Sequence, residues 1–295
     1  MLDDHFRARI ALLRSEREFR PAVAGYCRGM IEPSQIVWPT RKLLNQIGRY
    51  VVSFMLIHND YAWRHHGGPR PTLTALQAMV GSSRRQTAGF VSALKAGRFV
   101  TAVADRDDGR VKCLQASPAL VIEIGRSGRL FVAAMDAVAR RDPGRAARLD
   151  DPDRLGELVH GAAAHVLRYG TLIAPFTRVL HFASRDCGYP LLTALIGAHY
   201  AATVPGAPAA LPLKLRGLAE RLNVSRAHIG NLLGEAEAAG WIRIADSRLT
   251  ALDPTLLTEF EDWAAGQMLF YDDLAAAILA EPKPDPATPR YACAS

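Results

Sequence analysis

Apolar residues recur at helical spacing on both sides of one polar break within residues 213–250. Upstream of the break the apolar positions are Leu215, Leu218, Leu222 and Val224. Downstream they stand 4, 7, 8 and 11 positions after Ser225 and are Ile229, Leu232, Leu233 and Ala236. Ser225 suits a helix N-cap, because its hydroxyl can accept a hydrogen bond from a first-turn amide. The pattern predicts two short helices, each with one buried face.

The next residues predict a β-hairpin. Gly240 suits a helix end, and two alternating segments, 241–245 and 248–252, flank the turn Asp246-Ser247. Small and polar residues occupy the outer face of the second helix; they are Arg226, Ala227, His228, Gly230 and Asn231. The major groove of B-DNA is wide enough to admit such a helix. We therefore predict a winged helix-turn-helix that binds DNA.

The same order of elements occurs earlier in the chain, over about residues 70–115. Counted from Ser83, the four equivalent positions are Thr87, Phe90, Val91 and Leu94. Self-comparison aligns Tyr50 and Tyr61 with Tyr189 and Tyr200 at an offset of 139, Ser83 with Ser225 at 142, and Pro118 with Pro254 at 136. The offset changes only where loops vary in length. This is the behaviour of a repeated architecture, so the sequence predicts a tandem.

The chain then divides into five parts. Residues 1–40 are an N-terminal segment, in which 2–20 form an amphipathic helix stopped by Pro21 and 21–40 a connector. Residues 41–141 hold the first repeat, with a buried helix over 41–64 and another over 118–141. Residues 142–153 are a linker, and 154–280 hold the second repeat, with breaks at Pro175 and Gly188 and a last helix over 254–280. Residues 281–295 form a disordered Pro-rich tail.

The predicted fold class is mainly α with small β wings. Two winged helix-turn-helix units share a helical platform and are related by a pseudo-twofold axis. At 295 residues and 49% apolar composition, the chain is long enough for about two well-cored domains. No apolar run reaches the length of a membrane span, and residues 1–20 are charged. We expect a cytoplasmic protein without a membrane partner.

The four cysteines lie far apart and form no CxxC pair; they are Cys27, Cys113, Cys187 and Cys293. This spacing favours buried, reduced thiols over a zinc site or a disulfide framework, with a redox switch as a minor alternative.

The net charge of +7 is unevenly distributed. Residues 1–120 carry 18 basic and 9 acidic side chains, and residues 121–295 carry 18 and 20. A basic surface attracts phosphates and releases their counterions, which makes binding salt-dependent. The alternative is compositional, because 31 of the 36 basic residues are Arg, as a GC-rich genome would also produce.

The order long helix, helix-turn-helix, wing, long helix, with a wing written ADRDDGRVKCL, resembles the MarR family of bacterial transcription regulators. The resemblance implies a dimer in which each unit takes one half-site and a wing arginine enters the minor groove. Arg110 and Arg106 match that wing position, and Asp108-Gly109 supplies the hairpin turn. Here two units share one chain, which would act as a monomeric pseudo-dimer. The resemblance further implies a small-molecule effector pocket near Tyr50, Phe54, Tyr61 and Trp63, which the alternative interpretation places in the core.

The candidate contacts to double-stranded DNA follow from side-chain chemistry. Arg pairs with guanine and Gln with adenine, and hydroxyl groups suit phosphates. In the first unit the candidates are Ser82, Ser83, Arg84, Arg85, Gln86, Arg106, Arg110 and Lys112. In the second they are Ser225, Arg226, His228, Asn231, Arg243 and Arg248. Because the two sets differ, we expect an asymmetric promoter or operator site, with half-sites about 10 base pairs apart.

Other chemistry is weaker. His65-His66 next to Trp63 is interpreted as loop surface, and Asp105, Asp107 and Asp108 as wing salt bridges with the interleaved basic residues. The chain has no phosphate loop, nucleophile elbow or zinc-helix motif. We predict no metal, no cofactor and no enzymatic activity. Two rival functions remain, a plasmid-type replication initiator and a protein-interaction scaffold built on tandem winged helices.

Overall fold

Helices dominate the computed structural model, which describes residues 4–32 and 46–280. The helices are α1 Asp4–Ser15, α2 Phe19–Ile31, α3 Ile47–His65, α4 Leu73–Met79, α5 Arg84–Ala96, α6 Pro118–Ala139, α7 Arg145–Arg148, α8 Pro152–Tyr169, α9 Thr177–Ala183, α10 Gly188–Thr203, α11 Leu215–Leu222, α12 Arg226–Ala238 and α13 Pro254–Ala280. The strands are β1 Val100–Ala104, β2 Lys112–Ala116, β3 Ile242–Ala245 and β4 Arg248–Leu252. The prediction of a mainly helical chain with two small β-hairpins is confirmed.

Side-chain caps fix where many of these helices begin. Capping oxygens that accept an amide of the first turn come from Thr72, Ser83, Ser117, Asp151, Ser225 and Asp253. Helices α6, α8 and α13 also begin with proline, which lacks the amide that a helix start leaves unpaired. The start signals predicted at Ser117-Pro118 and Asp253-Pro254 are confirmed.

The hydrophobic periodicity of the two helix pairs also holds, with one exception. All eight inward positions predicted on α5 and α12 are buried. Leu215 was expected on the buried face of α11, but its relative exposure is 44%. Leu213, just before the helix, is buried instead, and its amide donates to the carbonyl of Ser247 at 3.1 Å.

Each helix pair is followed by an antiparallel hairpin. In the first, Val100 to Ala104 pair with Ala116 to Lys112. In the second, the strands pair from Ile242 with Leu252 to Ala245 with Arg248, with a register irregularity between Arg243 and Ile244. We call α4, α5, β1 and β2 the first helix–hairpin unit, and α11, α12, β3 and β4 the second.

Equivalent backbone hydrogen bonds occur in the two units. The amide after each second helix bonds back into that helix, from Phe99 to Leu94 and from Trp241 to Ala236, both at 2.9 Å. The residue after each hairpin bonds to the residue before it, from Ser117 to Phe99 and from Asp253 to Trp241, both at 2.8 Å. The two units therefore share local geometry despite their different sequences.

The N-terminal segment differs from its prediction. Pro21 does not stop a helix, because α1 ends at Ser15 and Pro21 lies in the first turn of α2, where a missing amide is tolerated. The predicted connector 21–40 is therefore wrong as far as Ile31, and its remainder from residue 33 lies outside the described residues. The predicted long helix over 41–64 is seen as Ile47–His65, and residues 41–45 and 281–295 also lie outside.

Helices that are distant in the sequence pack against each other. Helix α2 packs on α10, whereas α8 packs on α3, and α6 and α13 contact each other between these pairs. One core joins α1 and α2 to the second helix–hairpin unit, and the other joins α8 to the first unit. The stretch 142–153, predicted as a linker, contains α7 and buries Ala146 and Leu149 in the latter core. Each unit thus completes its core with a helix from the other half.

One buried carboxylate of α13 links helices that are distant in the sequence. Glu261 of α13 is 2% exposed and binds Arg14 of α1 at 2.9 Å, Arg20 of α2 at 2.8 Å and the Tyr200 hydroxyl of α10 at 3.0 Å. Burial alone would raise the pKa of Glu261, but the hydrogen bonds from Arg20, Arg14 and Tyr200 lower it overall. Four elements are therefore joined at one charged group.

Within the described chain, no helix combines the length and apolar character needed to cross a membrane. The side chains of Cys27, Cys113 and Cys187 are buried, as predicted, and Cys293 lies outside the described residues.

Candidate nucleic-acid interface

The N-terminus of α5 presents two exposed arginines. Ser83 caps the helix and forms a capping box with Gln86, in which each residue's side-chain oxygen accepts the other's backbone amide. The box orients the first turn of α5 and leaves Arg84 and Arg85 exposed. Both guanidinium groups are therefore available to an external anion.

The neighbouring polar candidates are already hydrogen-bonded within the chain. The Gln86 side-chain oxygen also accepts the Ser83 hydroxyl at 3.0 Å, and the Ser82 hydroxyl lies 2.8 Å from that of Thr87. A two-bond contact from Gln86 to adenine would require that oxygen to leave the capping box. The arginines are thus better placed than Ser82, Ser83 or Gln86 to bind a partner.

The loop of the first hairpin is organised by a buried aspartate. The Asp105 carboxylate accepts the amides of Asp107 and Asp108, at 3.1 and 3.0 Å, and pairs with Arg70 at 2.9 Å. Burial acts to raise the pKa of Asp105, but the two amides and Arg70 lower it overall. This charged group holds the loop in one shape.

Two predictions about this loop are wrong. Asp108-Gly109 does not form a two-residue turn, because seven residues, 105–111, separate the paired strands. The main salt-bridge partner of Asp105 is Arg70 and not one of the interleaved basic residues. Arg106, Arg110 and Lys112 are consequently exposed, with the Lys112 ammonium 3.4 Å from the carbonyl of Gly109.

The outer face of α12 is less basic than that of α5. Ser225 caps the helix, and Arg226 and Asn231 are exposed. His228, predicted to face outward, instead places Nε2 2.7 Å from the carbonyl oxygen of Asp186. The ring packs on the turn before α10, and Nε2 is therefore not available to contact a base, contrary to the prediction.

Acidic residues add to the difference. Helix α12 carries Glu235 and Glu237, whereas α5 carries no acidic residue. Glu235 pairs with Arg185 at 3.2 Å, and Glu237 accepts the amide of Ile244 at 2.9 Å. The second hairpin turns at Asp246-Ser247, both with positive φ, and it leaves Arg243 and Arg248 exposed.

The basic DNA-contact candidates differ from many arginines of the helical platform. On the platform, arginines pair with carboxylates, as Arg9 does with Asp273 and Arg129 with Asp150, both at 2.8 Å. Within the described chain, no carboxylate lies in salt-bridge range of the basic candidates, namely Arg84, Arg85, Arg106, Arg110, Lys112, Arg226, Arg243 and Arg248. The eight candidates therefore carry positive charge that no carboxylate of the described residues neutralises.

The aromatic residues predicted near an effector pocket belong largely to the core. Phe54 and Tyr61 are buried, and Trp63 is half-buried. The Tyr61 hydroxyl donates to the carbonyl of Pro152, and that of Tyr50 to the carbonyl of Ile124. The small cavity found between α1 and α13 lies elsewhere, beside Trp263.

The interpretation of His65-His66 as loop surface agrees with the exposed His66 but not with His65, which is helical and half-buried. Helix α3 extends through His65, and His66 is its C-cap. His66 stacks on His160 and places Nε2 2.7 Å from the Glu157 carboxylate, both on α8, and His65 lies beside Tyr61 and His66. Across the described residues, no group of three or more His, Cys, Asp or Glu side chains has an arrangement that could hold a metal ion.

Comparison of the chain with family models, with curated proteins and with solved structures found no match.

Proposed function

We propose that the two helix–hairpin units are winged helix-turn-helix units and that the chain is a sequence-specific regulator of transcription that binds double-stranded DNA. The observation that carries the proposal is the group of exposed, unpaired basic side chains on the first unit, at the start of α5 and in the hairpin loop. In this arrangement α5 enters the major groove and the loop with Arg106 and Arg110 follows the minor groove.

The proposed architecture is MarR-like, with one chain in the place of a dimer. The reciprocal packing of α2 on α10 and of α8 on α3 supports a pseudo-twofold platform, because each half supplies a helix to the other. The different charges of α5 and α12 support an asymmetric DNA site, in which the first unit makes the stronger contacts.

The proposal is tested by removing Arg84 and Arg85 together. A preferred duplex is first selected from a random pool, and its affinity is then measured by fluorescence anisotropy over a series of salt concentrations. Each base contact that an arginine makes is worth about 1–3 kcal/mol of discrimination, and two lost phosphate contacts reduce the salt slope by about 1.8. Replacement of both arginines by Ala should therefore weaken binding at least tenfold.

A double substitution of Arg7 and Arg17 to Ala is the matched control. Both residues are exposed on or next to α1, and the double variant has the same net charge as the test variant. It should bind DNA like the unchanged chain. Equal affinities for the two variants would refute contact through α5, and the absence of any duplex binding would favour the protein scaffold. Selection of repeated origin-type sequences would favour the replication initiator.

A further inference from the structure

Four of the nine histidines lie where α3 packs against α8, away from the proposed DNA surface. They are His58, His65 and His66, on or at the end of α3, and His160 on α8. His65 lies close to Glu157 and Asp153 of α8, His66 pairs with Glu157, and Arg64 lies on α3 beside His65. The cluster therefore joins two helices that come from different halves of the chain.

Three of the rings form a stack. His160 lies between His58, with ring centroids 4.5 Å apart and planes 9° apart, and His66, at 4.4 Å and 2°. Parallel rings at this distance pack well when neutral. Protonation of two neighbours would place two positive charges about 4.5 Å apart in a partly buried site, where their repulsion is strong.

Hydrogen bonds fix the protonation state of two rings. His58 Nδ1 lies 3.1 Å from the carbonyl oxygen of His160, and His160 Nδ1 lies 3.2 Å from that of His58. A carbonyl can only accept, so each Nδ1 carries a proton and donates. Any further proton must be taken up at Nε2 and makes the ring cationic.

Few charges can compensate for that proton. The Glu157 carboxylate is 2.7 Å from His66 Nε2, on the outer ring of the stack. In the part of the chain that is described, the electrostatic influences on His58, His65 and His160 come from the neighbouring histidines, from Glu157 and Asp153, and from the positive Arg64. Helix α13 approaches the adjacent Gly161 with the apolar Leu274. The central ring, His160, thus has no carboxylate of its own.

The pKa values follow this geometry. Burial lowers the pKa of His58 and His65, and burial together with the neighbouring His58 and His66 lowers the pKa of His160 to about 4. In a state where α3 and α8 have separated, His160 would regain its ordinary value of 6.5. The separated state then binds more protons between pH 6.5 and 4, so acid favours it.

We propose that the stack of His58, His160 and His66 is a pH-sensitive contact that holds α3 on α8 when its rings are neutral and releases it on acidification.

Release would reach the first helix–hairpin unit through α3. The buried Asp60 of α3 accepts the amide of Ala116, at the end of β2, at 3.0 Å. A change in how α3 sits on α8 therefore alters the support of the hairpin. The proposed contact does not require that the chain binds DNA.

Hydrogen exchange of the full-length chain tests the proposal. For a single ring with pKa values of about 4 and 6.5 in the two states, the opening constant rises about 30-fold from pH 7.5 to pH 5. Amide exchange in α3 and α8, corrected for the intrinsic effect of pH, should rise by a similar factor. Exchange in α12, remote from the stack, should change much less.

His160→Asn is the test variant, because the Asn side chain can still donate a hydrogen bond near the His58 carbonyl but does not titrate. Its α3 and α8 exchange should lose most of the acid response. His165→Asn is the control, since His165 lies on the same helix, outside the stack, beside Tyr169 and Phe270. It should keep the response. An acid response that persists in His160→Asn, or is missing in the unchanged chain, overturns the proposal.

A titration of the unmodified chain covers the case in which His160→Asn does not fold. The imidazole C–H resonances should show a histidine that stays neutral well below pH 6, with its shift coupled to that of a second ring. If all nine histidines titrate independently near pH 6.5, the stack is not the pH-sensitive element.

Discussion

Replacement of Gly89 should separate the stability of α5 from its role in binding. Gly89 is exposed in the middle of α5, and a Cβ atom added there would meet no heavy atom within 4 Å. A mid-helix glycine costs roughly 0.5–1 kcal/mol relative to alanine. Gly89→Ala should therefore raise the free energy of unfolding by about that amount, measured by urea denaturation.

A carboxylate at the same position should have a different effect on DNA. Gly89 follows Arg85 by one helical turn, so Gly89→Glu places a negative charge beside Arg85 on the proposed groove-facing side. The added charge offsets one cation, which should reduce the salt slope of DNA binding by about 0.9 and weaken binding about tenfold at about 0.1 M salt. Anisotropy with a selected duplex measures both quantities.

Gly25 of α2 provides the matched position. It is also exposed within a helix, with no heavy atom within 4 Å of an added Cβ. Gly25→Glu changes the net charge equally but lies away from α5. If Gly89→Glu and Gly25→Glu bind DNA with the same affinity and the same salt slope, the outer face of α5 does not approach DNA and the reasoning fails.

Three further outcomes are expected. Asp60→Ala should destabilise the fold by about 3–5 kcal/mol, because it leaves the half-buried Arg64 without its carboxylate and the Ala116 amide without an acceptor. Urea denaturation measures the free energy of unfolding, and a loss under about 1 kcal/mol would contradict this prediction. Glu261→Gln should weaken the dependence of stability on pH in the acid range. The lowered pKa of Glu261 gives stability that is present above its ordinary pKa of 4.5 and is lost as the pH falls below that value. Chemical denaturation at several pH values measures this dependence. Replacement of Arg106 and Arg110 by Ala should weaken DNA binding while leaving the preferred bases of α5 unchanged. In a repeated selection, a changed preference at the positions that α5 reads would argue against a minor-groove role.

Local features of the fold could be predicted from the sequence because their causes are local. A serine cap and apolar residues at fixed intervals after it determine the buried face of α5 and of α12, and all eight of those positions are buried. Proline after Ser117 or Asp253 marks a helix start for an equally local reason. These signals need no knowledge of what the helix packs against.

Features that depend on distant contacts could not be predicted. A proline such as Pro21 can either follow the end of one helix or lie in the first turn of the next, and the sequence alone does not distinguish the two. The loop after β1 takes its shape from Arg70, 35 residues before Asp105. His228 is held by a carbonyl on another element, and His66 gains its partners only when α3 meets α8. Tertiary packing decides each of these cases.

The candidate DNA contacts divide in the same way. Exposure of Arg84 and Arg85 follows from their place just after a cap, which the sequence shows. The sequence does not show that the oxygens of Ser82 and Gln86 have partners within the chain, because those contacts depend on the folded structure. The same holds for the lack of carboxylate partners around the two arginines.

The exchange of helices between the two cores determines the order in which the cores can form during synthesis. Helix α2 packs on α6, which ends at residue 139, and on α10, which begins only at residue 188. The first helix–hairpin unit receives α8 from residue 152 onward, before the second unit has been made. On the ribosome, the core of the first unit can therefore begin to close while the side of α2 that packs on α10 is still uncovered. The N-terminal helices should accordingly be the part of the newly made chain that most needs a chaperone.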